Sequence, residues 1–243
     1  MNPMGEAATD AAIAALELGE GARVLETGCG SAELLLRVLE AHPGATGVGV
    51  DPDADGLEVA HEQAAARVPG HEPELIAATA QDAGLPDGAF DLVVNVAASH
   101  AHGGFPHALA QLRALARPGG WILLGEGYWA ATPSPEFLRA LGGASADELP
   151  LGLDALPDAV RAAGLEIEAT ATASVADLAA YEEGLAEAAE RLEGDEAAAY
   201  ARRIRERRAL PGGGTTFGFA LLTIRRPFAP EPIEGRLLPP QAT

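Results

Sequence analysis

The residues with the clearest chemical pattern form a glycine loop. The segment VLETGCGSAE places Gly28 and Gly30 between a predicted strand and a predicted helix. Glycine there permits a tight turn and lets backbone N–H groups approach a ligand. A dinucleotide-binding fingerprint would have a third glycine at position 33, but Glu33 stands there, and its charge would face a pyrophosphate. The spacing therefore argues against NAD or FAD.

Carboxylates recur near the ends of the next two predicted strands. Asp51 in VGVDPD follows the glycines by about twenty residues, the separation at which an acidic residue can hold a ribose diol. Asp82 lies near the end of the third predicted strand, ELIAATAQDAG. A simpler alternative is that Glu26 only caps the following helix and the glycines form an empty turn. That alternative leaves Asp51 and Asp82 unexplained.

Three histidines in SHAHGGFPH follow the fourth predicted strand, at the edge where doubly wound folds hold ligands. His100 or His102 could act as a general base, whereas loop histidines, His107 included, can also be polar lining or caps. Metal binding by His100 and His102 would need a third ligand that the sequence does not reveal. We therefore predict no metal site.

Glu126, Tyr128 and Trp129 follow the fifth predicted strand, again at the ligand edge. They could orient a histidine or wall a substrate pocket, and packing is an equal alternative. The helix around Tyr181 and Glu182 could form a lid, but we favour an amphipathic outer layer.

The pattern of elements around these residues alternates between apolar strands and helices. It predicts an α/β fold, a Rossmann-like doubly wound sheet of seven strands, mostly parallel with an antiparallel last strand that inserts at the sheet edge. We expect Ser31 to cap the second helix, RPGG before Trp121 to form a turn, and one long helical segment to span about 175–208. The predicted domain covers residues 1–226, with helical cover from about 130–160 and 175–209, and a proline-rich tail covers 227–243.

The ordered motifs resemble those of the class I S-adenosylmethionine-dependent methyltransferases. The first motif is Glu26 followed by Gly28 and Gly30, with Ala32 where a third glycine is usual. The run LPDGAFDLVVN and the run RPGGWILLGE are also typical of that family. The resemblance covers about residues 6–225 and is strongest over 22–127.

This resemblance implies S-adenosylmethionine as the cofactor and contact between Asp82 and its adenine amino group. Cys29 is expected to be a small loop residue and not a reactive thiol. If the acceptor needs a base, the position of His100 and His102 at the ligand edge makes them the candidates, oriented by Glu126 or Tyr128. The predicted cofactor-binding residues are Glu26, Gly28, Cys29, Gly30, Asp51, Pro52, Gln81, Asp82, Ala83 and Asn95.

The charge of the chain bears on the acceptor. The formal net charge is −20 and all sixteen basic residues are arginines, so a nucleic-acid backbone would be repelled. The fourth strand ends in NVAA, whereas enzymes of this family that methylate base amino groups carry an NPPY-like sequence. The basic run Arg202–Arg208 follows an acidic stretch and is predicted to be a solvated helix face. A small-molecule acceptor is favoured, with a protein methyltransferase and a non-catalytic S-adenosylmethionine-binding regulatory protein as alternatives.

The remaining expectations concern location and assembly. The chain has one cysteine and neither a signal-peptide pattern nor an apolar run of membrane-spanning length, so a cytoplasmic protein without a membrane partner is predicted. The oligomeric state stays open, a homodimer included.

Overall fold

The fold is a seven-stranded sheet with helices on both faces, in a computed structural model that describes residues 2–192 and 194–228. The strands are β1 (Arg23–Thr27), β2 (Thr46–Asp51), β3 (Glu74–Ala77), β4 (Phe90–Val96), β5 (Ala116–Trp129), β6 (Glu166–Thr172) and β7 (Phe217–Arg225). The helices are α1 (Glu6–Ala14), α2 (Glu33–Ala41), α3 (Ala54–Arg67), α4 (Phe105–Leu115), α5 (Pro135–Ala140), α6 (Ala155–Ala162), α7 (Val175–Glu190) and α8 (Asp195–Ala209), with 3₁₀ turns at Ser99–His102 and Ala146–Glu148.

The strand order is β3-β2-β1-β4-β5-β7-β6, and β7 is antiparallel to both of its neighbours. The predicted fold class is therefore confirmed. The expected place of β7 is wrong, because it lies between β5 and β6 and not at the edge. Its burial agrees with this position, since Gly218 through Ile224 are all buried and an edge strand would expose one side.

The central strands carry apolar residues on both faces. Val24 and Leu25 of β1 are fully buried and belong to two separate apolar clusters, one on each side of the sheet. Helices α1, α2 and α3 cover the first cluster, whereas α4 and α6 cover the second. Continuous apolar runs are typical of parallel strands buried on both faces, and the sheet thus forms a rigid base for the residues at its carboxyl edge.

The predicted turn RPGG lies inside β5. Phe90 of β4 pairs with Ala116, and Leu92 pairs with Trp121, so residues 117–120 bulge out between two points of pairing. Gly119 has φ +73° and its N–H donates to the carbonyl of Arg226 at 2.7 Å. The predicted turn is present, but it does not end the strand, because β5 pairs with β4 on both sides of it.

The predicted long helix is two helices, because the chain breaks near Gly194, whose φ is +132°. Arg205 pairs with Glu183 and Glu190 of α7, and Arg207 pairs with the buried Glu182. The predicted solvated face describes Arg205, which is exposed, but is wrong for Arg207, whose side chain is 12% exposed. Both arginines form ion pairs between α7 and α8.

Residues 229–243 of the predicted tail lie outside the described residues, and the predicted domain boundary stays a prediction. Across the described ranges, no helix is both long and apolar enough to span a membrane.

Candidate functional site

The glycine loop joins β1 to α2 at the carboxyl edge of the sheet. Gly28 has φ +70°, and its N–H donates to the carbonyl of Val50 at 2.8 Å. A Cβ atom on Gly28 would lie 2.5 Å from the Cβ of Ala98, so only glycine fits without displacing the segment that follows β4. Gly30 has φ +50°, but the space around its Cβ position is open. The first glycine thus allows close packing, and the second leaves an open surface.

Asp51 connects this loop to the turn after β2. One of its carboxylate oxygens accepts from the N–H of Gly30 and the other from the N–H of Asp53, both at 2.8 Å. Pro52 between them is exposed. The carboxylate therefore holds the loop in place and is half-buried beside it. A ribose contact by Asp51 stays a prediction.

Glu26 reaches the N-terminus of α2 from the end of β1. It is 4% exposed, and Oε2 accepts from the N–H of Leu35 at 3.0 Å. Burial raises the pKa of Glu26 from 4.5 to about 8, although the bond from Leu35 opposes the shift. The proposed cap by Ser31 is wrong, because the helix starts after Ala32 in a left-handed conformation, without a side-chain cap at that position. Glu26 therefore caps the first turn of α2, as the simpler alternative expected. A contact between Glu26 and the cofactor stays a prediction.

Cys29 is a buried loop residue. Its side chain is 7% exposed and packs with the apolar cluster on the α2 side. Burial raises the pKa of the thiol, with the nearby Glu26 and Asp51 carboxylates adding to the effect. The expectation of an unreactive small residue is thus supported.

The segment around Asp82 lies farther from its strand than predicted. β3 ends at Ala77, so Asp82 sits in the following turn, where it is exposed and accepts from the Thr79 hydroxyl at 2.7 Å. Gln81 donates from Nε2 to the carbonyl of Ala101 at 3.0 Å, and Ala83 packs against the α4-side core. The turn is therefore tied to the segment after β4, at the same edge as the glycine loop.

A buried polar chain crosses from β4 to α4. Asn95 is fully buried and donates from Nδ2 to the carbonyl and hydroxyl oxygens of Thr27 at 3.1 and 3.0 Å. The Thr27 hydroxyl lies 3.2 Å from His102 Nε2, and His102 Nδ1 lies 2.7 Å from Gln111 Oε1. Gln111 Oε1 can only accept, so Nδ1 carries a proton and donates to it.

His102 is therefore a core histidine with both nitrogens occupied and 4% exposure. The predicted base role for His102 loses its support, because the ring cannot reach an acceptor. The sequence analysis did not identify Thr27 and Gln111. Nothing in their local spacing marks them, since the partners are 75 and 9 residues away from His102.

A cavity of about 930 Å³ opens beside the glycine loop. His100 and His107 line it together with Glu126 of β5 and Tyr181 of α7. Helix α7 thus contributes a wall as well as an outer layer. Ala97 and Ser99 also line the cavity, and Ala98 between them contacts Gly28, so the cavity and the loop share a boundary.

The residues predicted to follow the fifth strand lie within it, because β5 continues to Trp129. Tyr128 packs against the α4-side core, with its ring against Gly218, and does not line the cavity. Trp129 is 2% exposed, and its Nε1 donates to the carbonyl of Ala146 at 2.8 Å. The packing alternative therefore describes both aromatic residues, and the predicted catalytic role of Tyr128 loses its support.

Glu126 is the buried acid of the cavity wall. It is 5% exposed, Oε1 accepts from the N–H of Gly127 at 3.0 Å, and Oε2 is buried without a partner. Burial raises the pKa of this carboxyl, while the Ser99 hydroxyl and the Gly127 N–H oppose the shift. Among the residues that the structure describes, no group of three or more His, Cys, Asp and Glu side chains could hold a metal ion.

Comparisons with known proteins agree with this arrangement. A family model described as a methyltransferase domain matches residues 24–120. The chain is 37% identical over 131 residues to the fatty-acid O-methyltransferase of Mycolicibacterium smegmatis, a match that covers 51% of this chain and 44% of that protein. It therefore spans less than half the length of that curated relative.

Two solved structures resemble nearly the whole chain. The X-ray structure of YjhP from E. coli has a TM-score of 0.80 at 25% identity and covers 92% of this chain and 93% of its own. A methyltransferase from Thiobacillus denitrificans in complex with S-adenosyl-L-homocysteine has a TM-score of 0.76 at 26% identity, with 92% of each chain covered. In its sheet order and its glycine loop, the chain resembles the class I S-adenosylmethionine-dependent methyltransferases.

Proposed function

We propose that the protein transfers a methyl group from S-adenosylmethionine to a small-molecule acceptor. The observation that carries this proposal is the boundary shared by the glycine loop and the cavity, where Gly28 contacts Ala98 between two cavity-lining residues. A cofactor on the loop would lie next to an acceptor in the cavity. The S-adenosyl-L-homocysteine bound to the Thiobacillus denitrificans structure supports the choice of cofactor.

The residues at the carboxyl edge fit this cofactor. The open space above Gly30 and the carboxylate of Asp51 would receive its ribose side, and the turn of Gln81, Asp82 and Ala83 would receive the adenine. Asn95 is fully buried and bonded to Thr27, so it would act by positioning the end of β1. Glu26 and Cys29 are buried and would support the loop from its core side.

S-adenosylmethionine, when bound, supplies an activated methyl group on a sulfonium. The chain's own task is to align the acceptor in the cavity and to exclude water, since in-line displacement depends on orientation. Tyr181 of α7 and Phe217 of β7 close parts of the cavity wall. The Mycolicibacterium smegmatis relative is named for a fatty acid, which supports a small molecule with a hydrocarbon body as acceptor. A protein acceptor and a purely regulatory binding role are the alternatives.

Replacing Asp51 by alanine should weaken the binding of S-adenosylhomocysteine by about 1–3 kcal/mol, because a half-buried acceptor is lost and the Gly30 N–H loses its partner. Isothermal calorimetry measures this. Asp55→Ala, at an exposed position in the first turn of α3, is the matched control and should bind normally. Tight binding of NAD in place of S-adenosylhomocysteine, or equal affinity in the Asp51 variant, would contradict the proposed cofactor site.

His100 is the remaining candidate for a general base, because it is exposed to the cavity whereas His102 is not. With any acceptor that supports turnover, His100→Ala should lower kcat on the order of a hundredfold and leave cofactor affinity unchanged. His107→Ala, which removes the other cavity-lining imidazole, is the control. Turnover within a few-fold of wild type in His100→Ala would exclude the base role, and cofactor binding without turnover of any acceptor would favour the regulatory alternative.

A further inference from the structure

The ionisable side chains that line the cavity are two histidines, three acids and Tyr181. The acids are Glu126, Asp147 and Glu148, of which Glu126 is buried and the other two are exposed. None of the cavity-lining residues in the described ranges is an arginine, and the chain contains no lysine. The wall therefore lacks the arginine guanidinium that often pairs with a carboxylate or phosphate ligand.

Glu126 Oε2 is buried and has no hydrogen-bond partner among the residues that the structure describes. The other oxygen is already held by the N–H of Gly127 at 3.0 Å. An ionised carboxylate in such a place is costly unless a donor or a cation pairs with it. The Ser99 hydroxyl and His100 act on this carboxyl, but Oε2 itself has no hydrogen-bond partner among the described residues, so a ligand group in the cavity can pair with it.

The rest of the cavity wall is largely apolar. Phe105 and Pro106 at the start of α4 face it from one side, while Leu149, Phe217 and Phe219 line it from the loop after the second 3₁₀ turn and from β7. Such a surface accommodates a hydrocarbon body and gains free energy by removing it from water. The cavity thus combines an apolar wall with one buried acid.

We infer that the cavity takes an apolar amine, whose ammonium group pairs with Glu126, and discriminates against carboxylates and phosphate esters. For methylation, the ammonium would first pass a proton to the Glu126 carboxylate, and the N–CH3 bond would then form as the S–CH3 bond breaks, with S-adenosylhomocysteine as the leaving group. This acceptor class differs from the fatty acid in the name of the Mycolicibacterium smegmatis relative. This inference rests on the proposed function, because it names the acceptor class of the same site. It also agrees with the whole-chain charge of −20, which attracts cations and repels anions at a distance.

The test compares three ligands with the same hydrocarbon body: octylamine, octanol and octanoate. Calorimetry is performed at pH 7 on the full chain saturated with S-adenosylhomocysteine. The amine should bind about tenfold or more tightly than octanol, and octanoate more weakly than octanol, because a hydrogen bond to a charged group is worth more than one to a neutral group. In Glu126→Gln, which keeps the side-chain shape, the amine should lose this advantage while the affinity for octanol stays the same.

Glu58→Gln, an exposed carboxylate on α3 outside the cavity, is the matched control for general attraction to an acidic surface. An amine preference that survives Glu126→Gln, or octanoate binding as tightly as octylamine, would overturn the inference while leaving the proposed function intact. Failure of the wild-type chain to bind S-adenosylhomocysteine would instead overturn the proposed function, so the two failures are distinguishable.

Discussion

Replacing Gly28 by alanine is expected to abolish measurable binding of S-adenosylhomocysteine and to lower the free energy of unfolding by about 2–4 kcal/mol. Two effects add at this position. A φ of +70° is strained for any residue with a Cβ atom, and that atom would lie only 2.5 Å from the Cβ of Ala98. The segment after β4 must then move, which displaces both the loop and the inner wall of the cavity. Calorimetry and urea denaturation measure the two effects.

Gly30→Ala separates strain from crowding, because Gly30 also has a positive φ, +50°, but has open space around its Cβ position. It should cost only about 1 kcal/mol of unfolding free energy, the price of the left-handed conformation. Equal stability losses in the two variants would show that the approach of Gly28 to Ala98 does not matter.

Glu26 should make the ligand-free protein less stable as the pH rises from about 4.5 to about 8. The sign follows from the raised pKa, because in this window the folded protein binds a proton at Glu26 that the unfolded chain has released. Above pH 8 the cost of the buried charge is fully present, on the order of a few kcal/mol. The melting temperature measured against pH in the absence of cofactor tests this expectation.

Glu26→Gln is the decisive comparison, because the amide oxygen can still accept from the Leu35 N–H but carries no charge. The difference in melting temperature between this variant and the wild type should grow across the window and favour the variant above pH 8. Glu40→Gln is a useful contrast. The hydrogen bond from Arg67 lowers the pKa of Glu40, so its contribution to stability is lost only as the pH falls below the ordinary range of a carboxyl. A constant difference between Glu26→Gln and wild type would contradict the buried charge.

The spacing of residues along the sequence was enough to predict the strands of the sheet and the position of the glycine loop. Alternating apolar strands and helices predicted seven strands and an antiparallel last strand, because each pattern depends on residues a few positions apart. The pattern of Gly28, Gly30 and Asp51 placed the loop and its carboxylate correctly at one edge, since parallel strands bring their carboxyl ends together. The binding roles of these residues stay predictions.

Tertiary contacts decided what each polar side chain at that edge can do. His100 and His102 are equivalent in sequence, but only the structure shows that Thr27 and Gln111 occupy both nitrogens of His102. Likewise, the N–H of Leu35 in the first turn of α2 is bonded by Glu26 and not by Ser31. The accepting oxygen lies on β1, nine residues before Leu35 in the chain.

Contacts between distant segments also decided the position of β7 and the burial of Glu126. The sequence alone determined that β7 is predominantly apolar, and it could not determine that β5 and β6 lie on its two sides, because strand order depends on pairing between distant segments. It determined the presence of Glu126 near the ligand edge. Only the packing of β5 against its neighbours decided that this carboxyl is buried beside a cavity with one oxygen unpartnered, since burial is a property of all surrounding elements at once.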